Sequence, residues 1–145
     1  MKTIIMYYTF SGNSRKEAER LANEYQDVVV CEVTEQRKRN MLSAVSIGCP
    51  MAMVRGASKI KEVAYDLKQF DRILLIAPVW SGFPAPAFNA MVKRLPEGKE
   101  VGIYLCSSGG EAPKSKEGTC KMIADKNCKL ISYQDIKTWK TTQAM

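Results

Sequence analysis

Two hydrophobic periods alternate along this chain. Residues 3–8 are apolar almost throughout, which suits a strand buried on both faces of a parallel sheet. Residues 14–26 place Ala18, Leu21, Ala22 and Tyr25 at helical spacing, with Arg15, Lys16, Glu19, Arg20 and Glu24 between them, predicting an amphipathic helix. "DVVVCEV" at 27–33 returns to the strand pattern, with three β-branched residues in succession. Residues 34–58 are less regular. Met41, Leu42 and Val45 predict a helix that stops near Gly48, and Cys49-Pro50 and Gly56 punctuate the rest. The stretch is longer than an ordinary connection, which suggests a binding surface.

From 59 to 69, Ile60, Val63, Ala64 and Leu67 share one face of a predicted helix. "RILLIAPV" at 72–79 is the most apolar strand and is placed centrally. Pro86 suits the first turn of a helix that buries Phe88, Met91, Val92 and Leu95 and ends at Pro96 and Gly98. "EVGIYLCS" at 100–107, a helix over 115–126 and "KLISYQDI" at 129–136 complete the series. Strand and helix alternate four times before a last strand. This order predicts a three-layer α/β architecture, a doubly wound parallel five-stranded sheet with right-handed crossovers. A chain of 145 residues accommodates it as a single domain, 1–145.

Composition removes several chemistries. There is no histidine, so Ser-His and Cys-His nucleophile pairs cannot form. Five cysteines, none in a Cys-x-x-Cys pair, argue against a zinc site and for reduced thiols in a cytoplasmic protein. No apolar run is long enough to span a bilayer, and the short N-terminal apolar run lacks a small-residue cleavage site. The net charge of +7 admits a nucleic acid, an acidic protein or a phosphorylated ligand. The cations are scattered apart from Arg37-Lys38-Arg39, which reads most simply as a solvated loop or a helix start.

In open parallel sheets, ligands bind beyond the carboxyl ends of the strands, at the point where strand order reverses. The loops there read "TFSGNS", "PVWSGFPAP" and "SSGGEAPKS". The first offers three hydroxyls, an amide and a glycine before a helix. Ser14 and Glu17 can form a capping box. One hydroxyl would serve as a cap, however, and helix N-termini bind anions through free N–H groups and a partial positive charge. The second loop carries Trp80 and Phe83 beside Gly82 and three prolines, as a stiff aromatic rim.

These loops resemble those of the flavodoxins and short flavodoxin-like FMN proteins. Thr9, Ser11, Gly12, Asn13 and Ser14 match the family's first loop, [ST]-x-[ST]-G-N-[ST]. "APVWSGFPAPAFNAMVKRL" is similar to its second loop and following helix, and "CSSGG" stands in place of the third. The resemblance implies FMN as cofactor, with Thr9, Phe10, Ser11, Gly12, Asn13 and Ser14 around its phosphate. It places Pro78, Val79, Trp80, Ser81, Gly82 and Phe83 along the ring, and Ser107, Ser108, Gly109 and Gly110 on its pyrimidine side and second face. It implies no catalytic residue and no metal. The strand order 2-1-3-4-5 belongs to the same fold.

Three features depart from the family: a basic chain, no aromatic in the third loop, and too few residues after Ile136 for a long fifth helix, which is therefore short or absent. The implied function is electron transfer with a redox partner protein, or reduction of an acceptor with NAD(P)H as donor. A flavodoxin-fold binding module without redox activity is the alternative, and nucleic-acid binding ranks last, so neither nucleic acid nor membrane is expected as partner. A missing fifth helix would expose apolar side chains on the last two strands, to be covered by a homodimer or by a tail bearing Trp139.

Overall fold

The computed structural model describes residues 1–109 and 112–138. β1 (Thr3–Tyr7) leads to α1 (Asn13–Ala22) and β2 (Val28–Glu32). A helical stretch follows in three parts: α2 (Met41–Ser43), a π-helical segment (Ala44–Gly48) and α3 (Cys49–Met53). After a 3-10 turn at Leu67–Gln69 come β3 (Arg72–Trp80), the short β4 (Phe83–Pro84), α4 (Pro86–Lys93), β5 (Glu100–Ser107), α5 (Pro113–Asp125) and β6 (Lys129–Lys137). The parallel strands lie in the order β2-β1-β3-β5-β6, with β4 pairing antiparallel to β3. This is the expected 2-1-3-4-5 arrangement with one added ribbon.

Every residue of β1 is buried, and β3 and β5 are buried over most of their length. On one face Ile4, Met6, Ile73, Leu75, Ile103 and Leu105 pack with Phe88 and Met91 of α4 and Ile123 of α5. On the other, Ile5, Leu74, Ile76 and Tyr104 pack with Ala18 and Leu21 of α1. Helices on both faces explain why the central strands tolerate almost no polar residue.

Three sequence expectations change. Residues 59–66 form no helix. Glu35 and Ile60 make an antiparallel bridge, Gln36 N–H donates to Lys59 C=O, and Lys61 N–H donates to Thr34 C=O. Ile60 and Leu67 are buried as expected, but Ile60 from a β-bridge and Leu67 from the start of the 3-10 turn. The stretch before them does not stop at Gly48. It runs on to Met53, and the wider π turn precedes Pro50, which has no N–H to give and would crowd a regular turn. Finally, the apolar strip expected on the last two strands is interrupted: Tyr104 and Cys106 of β5 are buried there and Ile136 of β6 packs beside them, but polar side chains lie between. β6 places Ser132 and Gln134 beside Gly102 and Tyr104 on the α1 side, and the Tyr104 hydroxyl bonds Ser132 Oγ at 2.8 Å. Among the described residues no helix follows β6, while Trp139 lies outside them.

Candidate functional site at the carboxyl edge of the sheet

The chain leaves β1 through Tyr8, whose N–H donates to Ile76 C=O at 3.0 Å. Thr9 Oγ1 turns back to accept the Gly12 N–H at 2.8 Å. Gly12 has φ 97°, and an added Cβ would meet nothing within 4 Å. Glycine is therefore required by the backbone, with open space above it. α1 starts at the next residue with no side chain capping its N-terminus. Its first N–H groups have no intrahelical acceptor.

The expected capping box is not made. Ser14 lies inside the helix, buried, and Glu17 pairs with Arg20 at 2.6 Å. The Ser14 hydroxyl bonds the Cys106 thiol, and burial, the larger effect, pushes that thiol up to about 11. Cys106 thus stays protonated at neutral pH, a small buried group. Ser11 is exposed and Asn13 half-buried, with Asn13 Nδ2 donating to Ser11 Oγ at 3.2 Å. The first turn of α1 holds no acid but does hold Arg15 and Lys16. Cations there oppose the helix dipole, which favours an anion. The loop is short of negative charge where its geometry most favours one.

The second loop is a two-residue hairpin. Trp80 and Phe83 face one another across Ser81 (φ 54°) and Gly82 (φ 84°). Two successive left-handed residues make the primed turn that matches strand twist. The Ser-Gly pair between Val79-Trp80 and Phe83-Pro84 was its sequence signal. Trp80 meets the edges of Tyr8 and Phe10 at centroid distances of 6.1 and 5.8 Å, and Arg39 lies 5.6 Å from its ring centre. Arg55 stands 5.3 Å from the ring of Phe83. The aromatic rim is thus half-buried, with a guanidinium on each ring. Pro78 and Val79 are half-buried too, and Pro78 C=O accepts the Ala85 N–H at 3.0 Å.

In the third loop Ser107 is half-buried while Ser108 and Gly109 are exposed. Gly110 lies outside the described residues. A Cβ at Gly82 or Gly109 would also meet nothing within 4 Å. The Phe10–Trp80 contact joins the first and second loops, and the Ser14–Cys106 bond ties the first to the end of β5. A cavity of about 430 Å³ touches Thr9 and Phe10 but opens on the β2 side, past Glu35, Lys38, Arg39 and Lys61. The second and third loops do not line it.

Sequence reasoning missed what holds Trp80 in place. Glu35 is buried, accepts the Tyr8 hydroxyl at 2.6 Å and takes Arg39 Nε on both oxygens at 2.9 and 3.0 Å. Burial, with Glu35 adding to it, raises the Tyr8 phenol well above its usual value. Arg39 is the last member of the triplet read as solvated, and its spacing of four from Glu35 was the available signal. Arg55, at φ 57°, donates to Thr119 Oγ1 and Ser115 C=O, both at 2.9 Å, and pins the end of α3 to α5. Nothing in the sequence marks that contact.

Solved structures share this architecture. A flavoprotein from Lactobacillus acidophilus NCFM in complex with FMN matches with TM-score 0.78 and 23% identity, over 98% of this chain and 97% of that one. The apo-form of the flavoprotein from the same organism matches with TM-score 0.71 and 25% identity, over 92% of each chain. Oxidised flavodoxin 1 from Bacillus cereus matches with TM-score 0.51 and 13% identity, over 98% of this chain and 91% of that one. No protein-family model and no curated protein matches the chain. These likenesses show that the chain has a flavodoxin-like fold.

Proposed function

We propose that this chain binds FMN at the carboxyl edge of β1, β3 and β5 and works as a redox protein in electron transfer. The observation that carries the reading is the start of α1. It is an uncapped helix N-terminus behind a left-handed Gly12, with Arg15 and Lys16 in the first turn and no acid. It sits at the switch point of the sheet, where this fold receives ligands. The residues present fit a phosphate there. Backbone N–H groups of the first turn would hold it, with Ser11 and Asn13 beside them. Thr9 would keep the turn in shape through Gly12, and Ser14 would act from below as a support tied to Cys106. The Trp80–Phe83 hairpin and Ser107 to Gly110 would border the ring. The Lactobacillus acidophilus flavoprotein crystallised with FMN lends support.

When bound, FMN supplies the redox chemistry, while the protein sets its orientation and exposure. The missing third-loop aromatic leaves one ring face without a stacking partner from Ser107 to Glu111. That feature favours a small reductase that takes NAD(P)H as donor over a pure carrier served by a redox partner protein. Five free cysteines fit a reducing compartment such as the cytoplasm. Among the described residues no helix is long and apolar enough to cross a membrane.

The visible spectrum of the purified protein, followed by anaerobic stopped-flow mixing with NADH or NADPH, tests this function. Fast bleaching of a bound yellow chromophore identifies a reductase, and a coloured protein inert to both nucleotides identifies a carrier. A colourless protein that takes up no added FMN contradicts the proposal and leaves a binding module on the same scaffold.

A further inference from the structure

The positive charge of this protein is concentrated in one place. Residues 36–61 contain six Lys and Arg and no Asp or Glu, against a net +7 for the whole chain, so the remainder is nearly neutral. The same stretch holds six of the ten large apolar side chains exposed among the described residues: Met41, Leu42, Val45, Ile47, Met53 and Val54. Exposure there reaches 76% at Leu42 and 78% at Val54. Single exposed apolar residues need no explanation, but a cluster with a charged rim marks a contact surface.

The rim is available for contact. Arg37, Lys38, Lys59 and Lys61 form no ion pair among the described residues. A groove of about 620 Å³ is lined by Ile47 and Met51 of the helical stretch and by Arg37, Lys38 and Lys59 of the rim, with Glu35, already bound to Arg39, also in its lining. The surface is also anchored to the candidate site. Gly48 backs against Trp80 so closely that a Cβ would stand 2.7 Å from Cζ3 of the ring. Arg39 covers the same ring while bound to Glu35.

We propose that residues 36–61 form a docking surface for an acidic protein, one that presents an apolar patch rimmed by carboxylates. The proposal rests on the redox reading for its purpose, since docking here sets the partner beside the Trp80 hairpin. The binding itself follows from the surface alone. A second copy of this chain is disfavoured, because an isologous contact sets the same uncompensated cations against each other. A bilayer is disfavoured because interfacial helices anchor with Trp or Phe beside Leu, and residues 36–61 hold no aromatic residue. Met41, Met51 and Met53 instead give the adaptable side chains common on protein-docking faces.

The test uses a small acidic iron–sulphur ferredoxin as probe and basic cytochrome c as control. Amide resonances of the isotope-labelled full-length protein are followed by NMR. Ferredoxin should shift amides within 36–61, cytochrome c should not, and affinity should fall about tenfold or more between about 20 and about 200 mM salt. Lys38→Glu with Lys59→Glu should abolish the shifts. Met41→Ser with Leu42→Ser, both at exposed positions, should weaken binding about tenfold while keeping the salt dependence. Shifts elsewhere, no shifts, equal binding of cytochrome c, self-association through 36–61, or co-sedimentation of these residues with phosphatidylglycerol vesicles in place of ferredoxin binding would each overturn the proposal. The readout needs no flavin. A chain that binds ferredoxin but not FMN would keep this inference and end the redox reading, and the reverse result would do the opposite.

Discussion

The loop at 9–14 and the stretch at 36–61 border the same edge of the sheet and meet around Trp80, yet they are shaped by different forces. In the loop, one left-handed glycine and one threonine hydroxyl set the path of the backbone, and the groups proposed to hold the ligand are main-chain N–H groups at a helix start. In the longer stretch, contacts distant in sequence set the path: Arg39 through the neighbouring Glu35 to Tyr8, Gly48 with Trp80, Arg55 with Ser115 and Thr119. The groups proposed to make its contacts are side chains. In the first region the side chains of Ser11 and Asn13 are expected to tolerate removal with little loss of stability, whereas the second region is expected to respond at its anchors with a loss of stability and at its surface with a loss of contact.

Mutations can break this contrast. The largest effect is expected from Ser11→Ala with Asn13→Ala, which removes two polar groups beside the candidate anion site. Bonds to a charged group contribute about 1.5–3 kcal/mol each, so FMN affinity should fall by about 3–6 kcal/mol while urea stability moves by less than about 1 kcal/mol. Equal loss of riboflavin affinity would show that these side chains only shape the loop. Next comes Glu35→Ala, which strands Arg39 and removes the acceptor for Tyr8. Breaking a buried pair costs about 3–5 kcal/mol, visible as a lower urea midpoint together with a changed Trp80 emission. Glu35→Gln should lose less, because the amide oxygen still accepts from Tyr8. An unchanged midpoint for Glu35→Ala would mean that the stretch is held by other contacts.

Smaller effects sharpen the comparison. Gly48→Ala keeps a helical backbone but drives a methyl into the Trp80 ring. Overpacking of this kind costs about 1–3 kcal/mol, and a thermal melt that does not shift would show the helical stretch riding free of the hairpin. Ser108→Tyr should tighten FMN by about 1–3 kcal/mol through stacking and slow any reaction with a bulky acceptor. No change in either would mean that both ring faces are already covered. The mildest probe is alkali. Burial raises Tyr7, Tyr8, Tyr104 and Tyr133, the last to about 12. The fold favours their neutral forms, so their contribution is complete below about pH 10, the unfolded value, and is lost as pH rises towards the folded values. A urea midpoint that falls between about pH 10 and about pH 12, with late tyrosinate absorbance, is the expected result.

The sequence made most of the sheet legible because its central strands are buried on both faces and admit few polar residues. Pro86 marked the start of α4 for a local reason. The failure at 59–66 has a physical cause: Ile60, Val63 and Leu67 recur every three or four residues, which fits a helix and also an irregular segment, ending in a 3-10 turn at Leu67, that touches the core at intervals. The alternation Lys59-Ile60-Lys61 was the better signal, since it repeats with period two. Of the candidate site, the three loops and the glycines were readable from the sequence. The guanidiniums over Trp80 and Phe83 were not, because Arg39 and Arg55 reach their rings only after residues far apart in sequence have packed. The concentration of charge in 36–61 was present in the sequence but acquired meaning once the neighbouring apolar side chains proved exposed.

The central claim is that α1 offers its N-terminus to the phosphate of a flavin. Titration of flavin-free protein with FMN and with riboflavin, each followed by quenching of flavin fluorescence, tests it most directly. The account expects saturable FMN binding at least about a hundredfold tighter than riboflavin binding, as two charge-assisted hydrogen bonds alone would give. It also expects inorganic phosphate to compete with FMN and not with riboflavin. Equal affinities for the two flavins, or no quenching by either, would contradict it.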